Sequence, residues 1–275
     1  MRPSLIYYSN LIILAMSLKK DLRDGKVTLG TWITINHPDV VDALSDLNFD
    51  WICFDLEHAP IDPSDLEFLL MPLKKDLPTP LARLSWNDQV IVKQVLDMGV
   101  KGLVVPMVNT REDAERMVRY ASYPPKGIRG AGPRRCIRYG ELDFLKYYEG
   151  FERDERVLIA QIETPQALEN LEEIASTPGI DALFIGPFDL TVNLGIPTQY
   201  DNPKFKEAKK KVLKVCERYD IAPGIHALIP EMVKQAVDEG FRFVAIMNDM
   251  KVMKDGFKKI LIELGRLEER VVRGY

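Results

Sequence analysis

From Val27 onward the chain alternates short runs of β-branched and aromatic residues with longer stretches in which apolar positions recur at helical spacing, and eight such pairs can be counted. The strand-like runs are Val27 to Ile35, Trp51 to Leu56, Leu81 to Leu84, Gly102 to Pro106, Val157 to Ile162, Ala182 to Ile185, Ala222 to His226 and Phe243 to Met247. Nearly continuous apolarity in runs this short is the pattern of strands covered on both faces, as in a parallel sheet flanked by helices. Helices are predicted to begin near Pro38, Pro63, Asp88, Thr110, Pro165, Pro203, Pro230 and Val252. Proline suits a first helical turn because the N–H it lacks would have no partner there, and short oxygen-bearing side chains cap the N–H groups that remain. Gly99, Gly179 and Gly240 close three of the helical stretches, where a left-handed residue turns the chain toward the next strand.

Eight strand-helix units in 275 residues predict an α/β fold of the (β/α)8 TIM barrel type rather than an open doubly wound sheet. No GxGxxG follows the first strand and no GxxxxGK[ST] occurs anywhere, which removes support for NAD binding or a P-loop. One barrel is assigned to residues 17–275. Residues 1–16 read as an N-terminal extension, a loosely held segment or an upstream start. The apolar stretch from Leu5 to Met16 is too short for a membrane span, and it lacks the cationic start and cleavage site of a signal peptide. The longest unpatterned stretch, Tyr123 to about Asp154, mixes prolines and glycines with Arg134, Arg135 and Arg138. A loop of that length in a compact domain is usually functional. It is a candidate cover for the barrel mouth or a contact with a neighbouring subunit.

Composition narrows the classes. A chain that is 46% hydrophobic and 28% charged is an ordinary globular protein. With 37 basic and 41 acidic residues spread along its length, the net charge of -4 gives no basic stripe for nucleic acid. Neither a nucleic-acid partner nor a membrane is expected. Cys53, Cys136 and Cys216 stand far apart with no paired spacing, so they read as packing residues in a reducing, cytoplasmic setting.

In such a barrel the chemistry is carried at the C-terminal ends of the strands. There stand Asp55, Leu56, Glu57 and His58 after the second strand, Arg83 after the third, Glu163 after the fifth, Asp189 after the sixth and His226 in the seventh. Glu163 and Asp189 are candidate ligands of a divalent metal, two hard carboxylates that leave positions open for water and substrate oxygens. The competing structural reading makes Glu163 the cap of the helix at Thr164-Pro165 and Asp189 the cap of the turn into Leu190-Thr191. With no Cys/His ligand set, magnesium, manganese or cobalt is favoured over zinc. His58, beside acidic residues at a strand end, suits a general base oriented by a neighbouring carboxylate, and the alternative is a loop hydrogen bond. Arg83 ends an apolar strand and needs an anion, either a substrate group or a structural partner in Asp55 or Glu57. Gly186-Pro187-Phe188 suggests a tight turn whose backbone approaches a ligand. His37, before Pro38, reads as a helix cap, and Trp86-Asn87-Asp88 as a helix start with an aromatic lid on the core.

Seven motifs in order then carry a resemblance: Phe49 to Pro60, Arg83 to Asp88, Leu96 to Gly99, Val105 to Val108, Tyr123 to Gly130, Gln161 to Thr164 and Phe184 to Leu190. Across roughly residues 25–250 the chain resembles the HpcH/HpaI family of class II 2-oxo acid aldolases. The resemblance implies a barrel of the phosphoenolpyruvate/pyruvate-domain type and a homo-oligomer, hexamer or trimer. It implies reversible cleavage of a 4-hydroxy-2-oxo acid, such as 4-hydroxy-2-oxoheptanedioate or a 2-keto-3-deoxy sugar acid, to pyruvate and an aldehyde. It further implies that Glu163 and Asp189 hold the Mg2+, Mn2+ or Co2+ ion that chelates pyruvate, that Arg83 stabilises the enolate, and that His58, supported by Asp55, moves the proton. Gln161 and the backbone of Gly186, Pro187 and Phe188 would seat pyruvate, and His226 would face the aldehyde. Neither PLP nor a Schiff-base lysine is expected in this chemistry. His226, Phe188 and Met247-Asn248-Asp249 depart from relatives in the region of the aldehyde. A malyl-CoA or citramalyl-CoA lyase, and a non-catalytic metabolite-binding barrel, remain alternatives on the same scaffold.

Overall fold

The computed structural model describes residues 17–73 and 77–268. The extension assigned to residues 1–16 lies outside the described residues. Eight parallel strands pair in chain order and close into a barrel, with the last strand hydrogen-bonded to the first. They are β1 (Thr28–Ile33), β2 (Trp51–Asp55), β3 (Thr79–Arg83), β4 (Gly102–Val105), β5 (Val157–Ile162), β6 (Ala182–Ile185), β7 (Ala222–Ala227) and β8 (Phe243–Asn248). The helices are α1 (Leu18–Arg23), α2 (Pro38–Ser45), α3 (Pro63–Leu69), α4 (Gln89–Asp97), α5 (Arg111–Ala121), α6 (Phe144–Gly150), α7 (Pro165–Glu169), α8 (Leu171–Ala175), α9 (Pro187–Asn193), α10 (Pro203–Tyr219), α11 (Pro230–Glu239) and α12 (Asp249–Glu263). The predicted barrel is the fold observed.

Helix starts follow the expected chemistry. Asp62, Asp88, Thr110 and Thr164 each accept backbone N–H groups of the turn they open, and His37 Nδ1 accepts the N–H of Asp39 at 3.2 Å. The last helix begins at Asp249 rather than near Val252, because Asn248 caps it by accepting the N–H of Lys251 at 2.8 Å. Trp86 is 58% exposed and covers no core, contrary to its reading as a lid.

Strand parity divides the core in two. Side chains such as Ile52, Phe54, Leu158, Ile162, Leu183 and Ile185 point outward to the helices. The alternate positions, among them Trp51, Cys53, Leu81, Val157, Ile159 and Phe184, fill the barrel interior, and Leu18 and Leu22 of α1 join them from the N-terminal end. Each fully buried side chain of this size contributes about 1.5–3 kcal/mol. Trp51 stacks on Phe243 with ring centroids 4.1 Å apart. Its indole is admitted by Gly30, where a Cβ would lie 2.1 Å from a Trp51 ring atom. All three cysteines are buried and unpaired.

The stretch after α5 differs from expectation. It holds a 3-10 turn at Arg135–Gly140, α6 and a π-helical turn at Phe151–Glu155. It does not cover the mouth. Arg135 donates to the backbone oxygens of Leu70 at 2.6 Å and Met98 at 3.2 Å, at the C-terminal ends of α3 and α4, which places this part of the loop at the end of the barrel opposite the mouth. Arg129 is buried there over the Tyr123 ring and donates to Asp97 at 2.8 Å. Both arginines are engaged in packing and at helix ends.

Candidate active site

The inward parity of the strands continues into polar residues at one end of the barrel. Below Asp55 on β2 lie Cys53 and Trp51, below Arg83 on β3 lies Leu81, and below Gln161 on β5 lie Ile159 and Val157. Glu163 extends the β5 series by one more inward position, and Gly224 and Ala222 stand below His226 on β7. The hydrophobic interior is thus the floor of a polar mouth, a cavity of about 910 Å³. Asp55, His58, Arg83, Gly186, Asp189 and His226 line it, with Trp32 and Phe184 as aromatic wall.

Arg83 grips Asp55 with two bonds, Nε to Oδ1 at 2.9 Å and Nη2 to Oδ2 at 2.7 Å, and its guanidinium lies over the Trp32 ring at 4.5 Å. Burial opposes ionisation of Asp55, but the Arg83 bonds and charge hold its carboxyl below the usual range. The same pairing outweighs the burial of the guanidinium and raises its pKa further. A guanidinium has five N–H donors, and this fork leaves both on Nη1 and one on Nη2 for another oxygen. The structural pairing considered for Arg83 therefore coexists with a role toward substrate.

Glu57, named from the sequence only as a possible structural partner of Arg83, continues the odd-numbered parity of Cys53 and Asp55. Its Oε2 lies 3.4 Å from Arg83 Nε and 3.7 Å from His58 Nε2, covered and without a hydrogen bond. Burial pushes this carboxyl up to about 7, and repulsion from Glu163, Asp55 and Asp189 adds to it while Arg83 opposes it. The His58 side chain is 61% exposed at the mouth. Asp55 accepts the backbone N–H of His58 at 3.2 Å, so the carboxylate beside the imidazole is that of Glu57 rather than Asp55.

The capping alternatives for the two candidate metal ligands do not match the geometry. Thr164, not Glu163, caps α7, accepting the Ala167 N–H at 3.0 Å. No side chain caps α9, whose N-cap is Gly186. Glu163 instead is buried, accepting from the Gln161 amide through Oε2 and from the Met107 N–H at 2.6 Å through Oε1. Met107 presents that N–H from a left-handed backbone, φ 55°, a conformation costing a non-glycine residue about 1–3 kcal/mol. Burial raises the Glu163 pKa, with Asp189 adding to it against those two hydrogen bonds.

A Cβ built on Gly186 would lie 3.4 Å from Gln161 Nε2, 3.6 Å from Glu163 Oε2 and 3.8 Å from Asp189 Oδ2. One small open space therefore borders both carboxylates and the amide, and glycine leaves it unfilled. Gln161 Oε1 is buried without a partner. Hard oxygens converging on such a space fit a divalent cation. Among the described residues no group of three or more His, Cys, Asp or Glu side chains that could hold a metal ion gathers.

His226 Nε2 is covered and unpartnered, and its ring meets Trp32 edge to face at 6.1 Å. Burial, helped by the Arg83 charge and opposed by a bond to the Met247 backbone, depresses its pKa to about 4. It is a neutral imidazole at the mouth. Phe188, 45% exposed, projects at the rim.

Residues 28–255 match the family model described as HpcH/HpaI aldolase/citrate lyase. The chain is 34% identical over 237 residues to the hydroxypyruvate/pyruvate aldolase of Sagittula stellata, spanning 86% of this chain and 92% of that one. It is 35% identical over 244 residues to the 2-dehydro-3,6-dideoxy-6-sulfogluconate aldolase of Pseudomonas putida, spanning 88% and 94%. The crystal structure of an HpcH/HpaI aldolase from Desulfitobacterium hafniense superposes with a TM-score of 0.86 at 29% identity, covering 92% of this chain and 98% of that one.

Proposed function

The chain belongs to the HpcH/HpaI aldolase/citrate lyase family, and from that premise we propose that its barrel mouth splits 4-hydroxy-2-oxo acids reversibly into pyruvate and an aldehyde with a divalent metal ion. The observation that carries the reading is the open space at Gly186, bordered by Gln161, Glu163 and Asp189 within 3.8 Å. Glu163 and Asp189 would hold Mg2+, Mn2+ or Co2+, and the bound ion supplies Lewis acidity toward the oxygens of the 2-oxo acid.

The chain's own groups do the rest. Gln161 orients Glu163 through its amide, and Gly186, Pro187 and Phe188 border the space in which pyruvate is seated. Cleavage removes the proton of the 4-hydroxyl, breaks the C3–C4 bond and leaves negative charge on the C2 oxygen. The free Arg83 donors stabilise that charge, held in place by the Asp55 fork so that little reorganisation accompanies its development. His58 takes the hydroxyl proton at the exposed side of the mouth, its imidazolium steadied by Glu57. His226, neutral and covered, borders the space of the aldehyde.

The reading extends to a homo-oligomer, hexamer or trimer, supported by apolar side chains left exposed on α12, among them Val252, Met253, Phe257 and Ile260. It extends also to a cytoplasmic location, supported by the three unpaired thiols. No helix among the described residues is long and apolar enough to cross a membrane.

The test is pyruvate release from 4-hydroxy-2-oxo acids of several chain lengths, with manganese or magnesium and with EDTA. EDTA-sensitive release that Glu163→Gln abolishes is expected. Full activity in EDTA or in Glu163→Gln would refute the metal assignment.

A further inference from the structure

Glu163 stands one residue beyond β5, and the pairings of that strand with β4 and β6 end at Ala160 and Ile162, so the sheet does not fix it. Its Oε1 is held instead by the Met107 N–H at 2.6 Å, from the loop that joins β4 to α5. Met107 adopts its left-handed backbone with an exposed side chain, so burial of that side chain offsets little of the strain. What the conformation provides is the direction of one N–H. Such a geometry persists in a short loop only where the surroundings over-determine it.

Asn109 is the point at which they do so. Its N–H donates to Asp113 Oδ2 at 3.0 Å, beside the capping box that opens α5. Its backbone oxygen accepts from Asn170 Nδ2 at 2.8 Å, at the junction of α7 and α8. Its side-chain oxygen accepts from the hydroxyl of Thr164, the residue after Glu163. One residue thus binds the start of α5, the α7–α8 junction and the turn after β5. Val108, buried between Met107 and Asn109, anchors the loop in the core. Asn109 therefore reaches Glu163 along two routes, through the chain to the Met107 N–H and through Thr164 to the adjoining peptide.

We propose that Asn109 is a positioning residue of the metal site. By fastening the loop after β4 to the turn after β5, it keeps the Met107 N–H on Glu163 Oε1 and the carboxylate turned toward the space it shares with Asp189. The inference rests on the metal reading of that space and adds to it a residue outside the ligand set. A carboxylate whose direction is fixed by hydrogen bonds takes a cation more tightly than a mobile one, because its rotamer freedom is already lost in the fold.

The experiment titrates metal-free protein with Mn2+ by calorimetry and follows amide exchange at Met107 by NMR in protein labelled at methionine. Asn109→Leu keeps the size of the side chain and removes the acceptor for Thr164. It should weaken Mn2+ binding by roughly 10- to 100-fold and speed exchange at Met107, while the buried Met117 within α5 exchanges as before. Asn170→Ala, which loosens the same loop from its other side, should act in the same direction. Because both act through one clasp, the double variant should bind Mn2+ no more weakly than the weaker single variant. Asn202→Ala is the control for lost stability. Asn202 caps α10 by accepting the Lys204 N–H at 3.1 Å, so its removal should lower Tm and leave Mn2+ affinity unchanged. Wild-type Mn2+ affinity in Asn109→Leu and Asn170→Ala, additive losses in the double variant, or an equal loss in Asn202→Ala would each overturn the inference. Absence of Mn2+ binding by the wild type would instead count against the metal reading itself.

Discussion

Arg83 and Asp55 meet as a parallel fork in which both carboxylate oxygens are used and three guanidinium hydrogens stay free. The pair is buried, so its members depend on one another for charge compensation. Asp55→Asn, which leaves the cation poorly matched, is expected to lower stability by roughly 3–5 kcal/mol in urea unfolding. Replacing both, with Asp55→Leu and Arg83→Met, should recover most of that loss while activity stays absent. A double variant no more stable than the single one would show that the pair is not coupled in this way.

Glu57 gives a pH-dependent prediction. Its carboxyl is raised from 4.5 to about 7 in the folded protein, so the folded state keeps a proton that the unfolded chain releases over that interval. The metal-free wild type should therefore lose stability relative to Glu57→Gln as pH rises from 4.5 to 7, read as the difference in Tm between the two. Magnesium or manganese should reduce the difference, because a cation between Glu163 and Asp189 cancels their repulsion. A difference in Tm that is flat across the window would contradict the assignment.

His226 titrates in the opposite sense. Its pKa falls from 6.5 to about 4, so the folded state refuses a proton that the unfolded chain accepts between those values, and stability drops as pH falls through the window. The imidazole Hε1 resonance should shift with a midpoint near 4. Arg83→Met, which removes the second cause of the depression, should move the midpoint upward. A midpoint near 6.5 in the wild type would mean that the ring is solvated.

Gly186→Ala tests the open space directly. Its Cβ would sit at ordinary contact distances of 3.4 to 3.8 Å, so the fold should tolerate it, with Tm nearly unchanged. The methyl nonetheless occupies the room that a cation and its oxygens need. Manganese affinity measured calorimetrically should fall by at least about tenfold, since even 1.4 kcal/mol of lost binding has that effect. Wild-type affinity in this variant would place the cation elsewhere.

Much of this was legible in the residues because a buried parallel strand has one inward face, and its parity can be followed from apolar to polar positions. Val157, Ile159, Gln161 and Glu163 form such a series, and so do Trp51, Cys53 and Asp55. Glu57 is legible in the sequence as a possible partner of Arg83, but its raised pKa is not, because that comes from burial and from Glu163 and Asp189, which only the fold brings near. The loop after α5 misled for a related reason. Arginines between glycines and prolines look the same whether they face a ligand or the carbonyls of Leu70 and Met98.

Asp249 joins the end of β1 to the beginning of the last helix, segments separated by more than two hundred residues. Closing a loop of that span costs entropy that only the completed seam returns. The outer wall of the mouth therefore acquires its shape late, after the first and last strands have found each other, while the ladders between sequence neighbours β2 to β6 can form without it. Nascent chains lacking the final helix would carry the inner strands of the barrel without the part of the cavity wall that this helix lines.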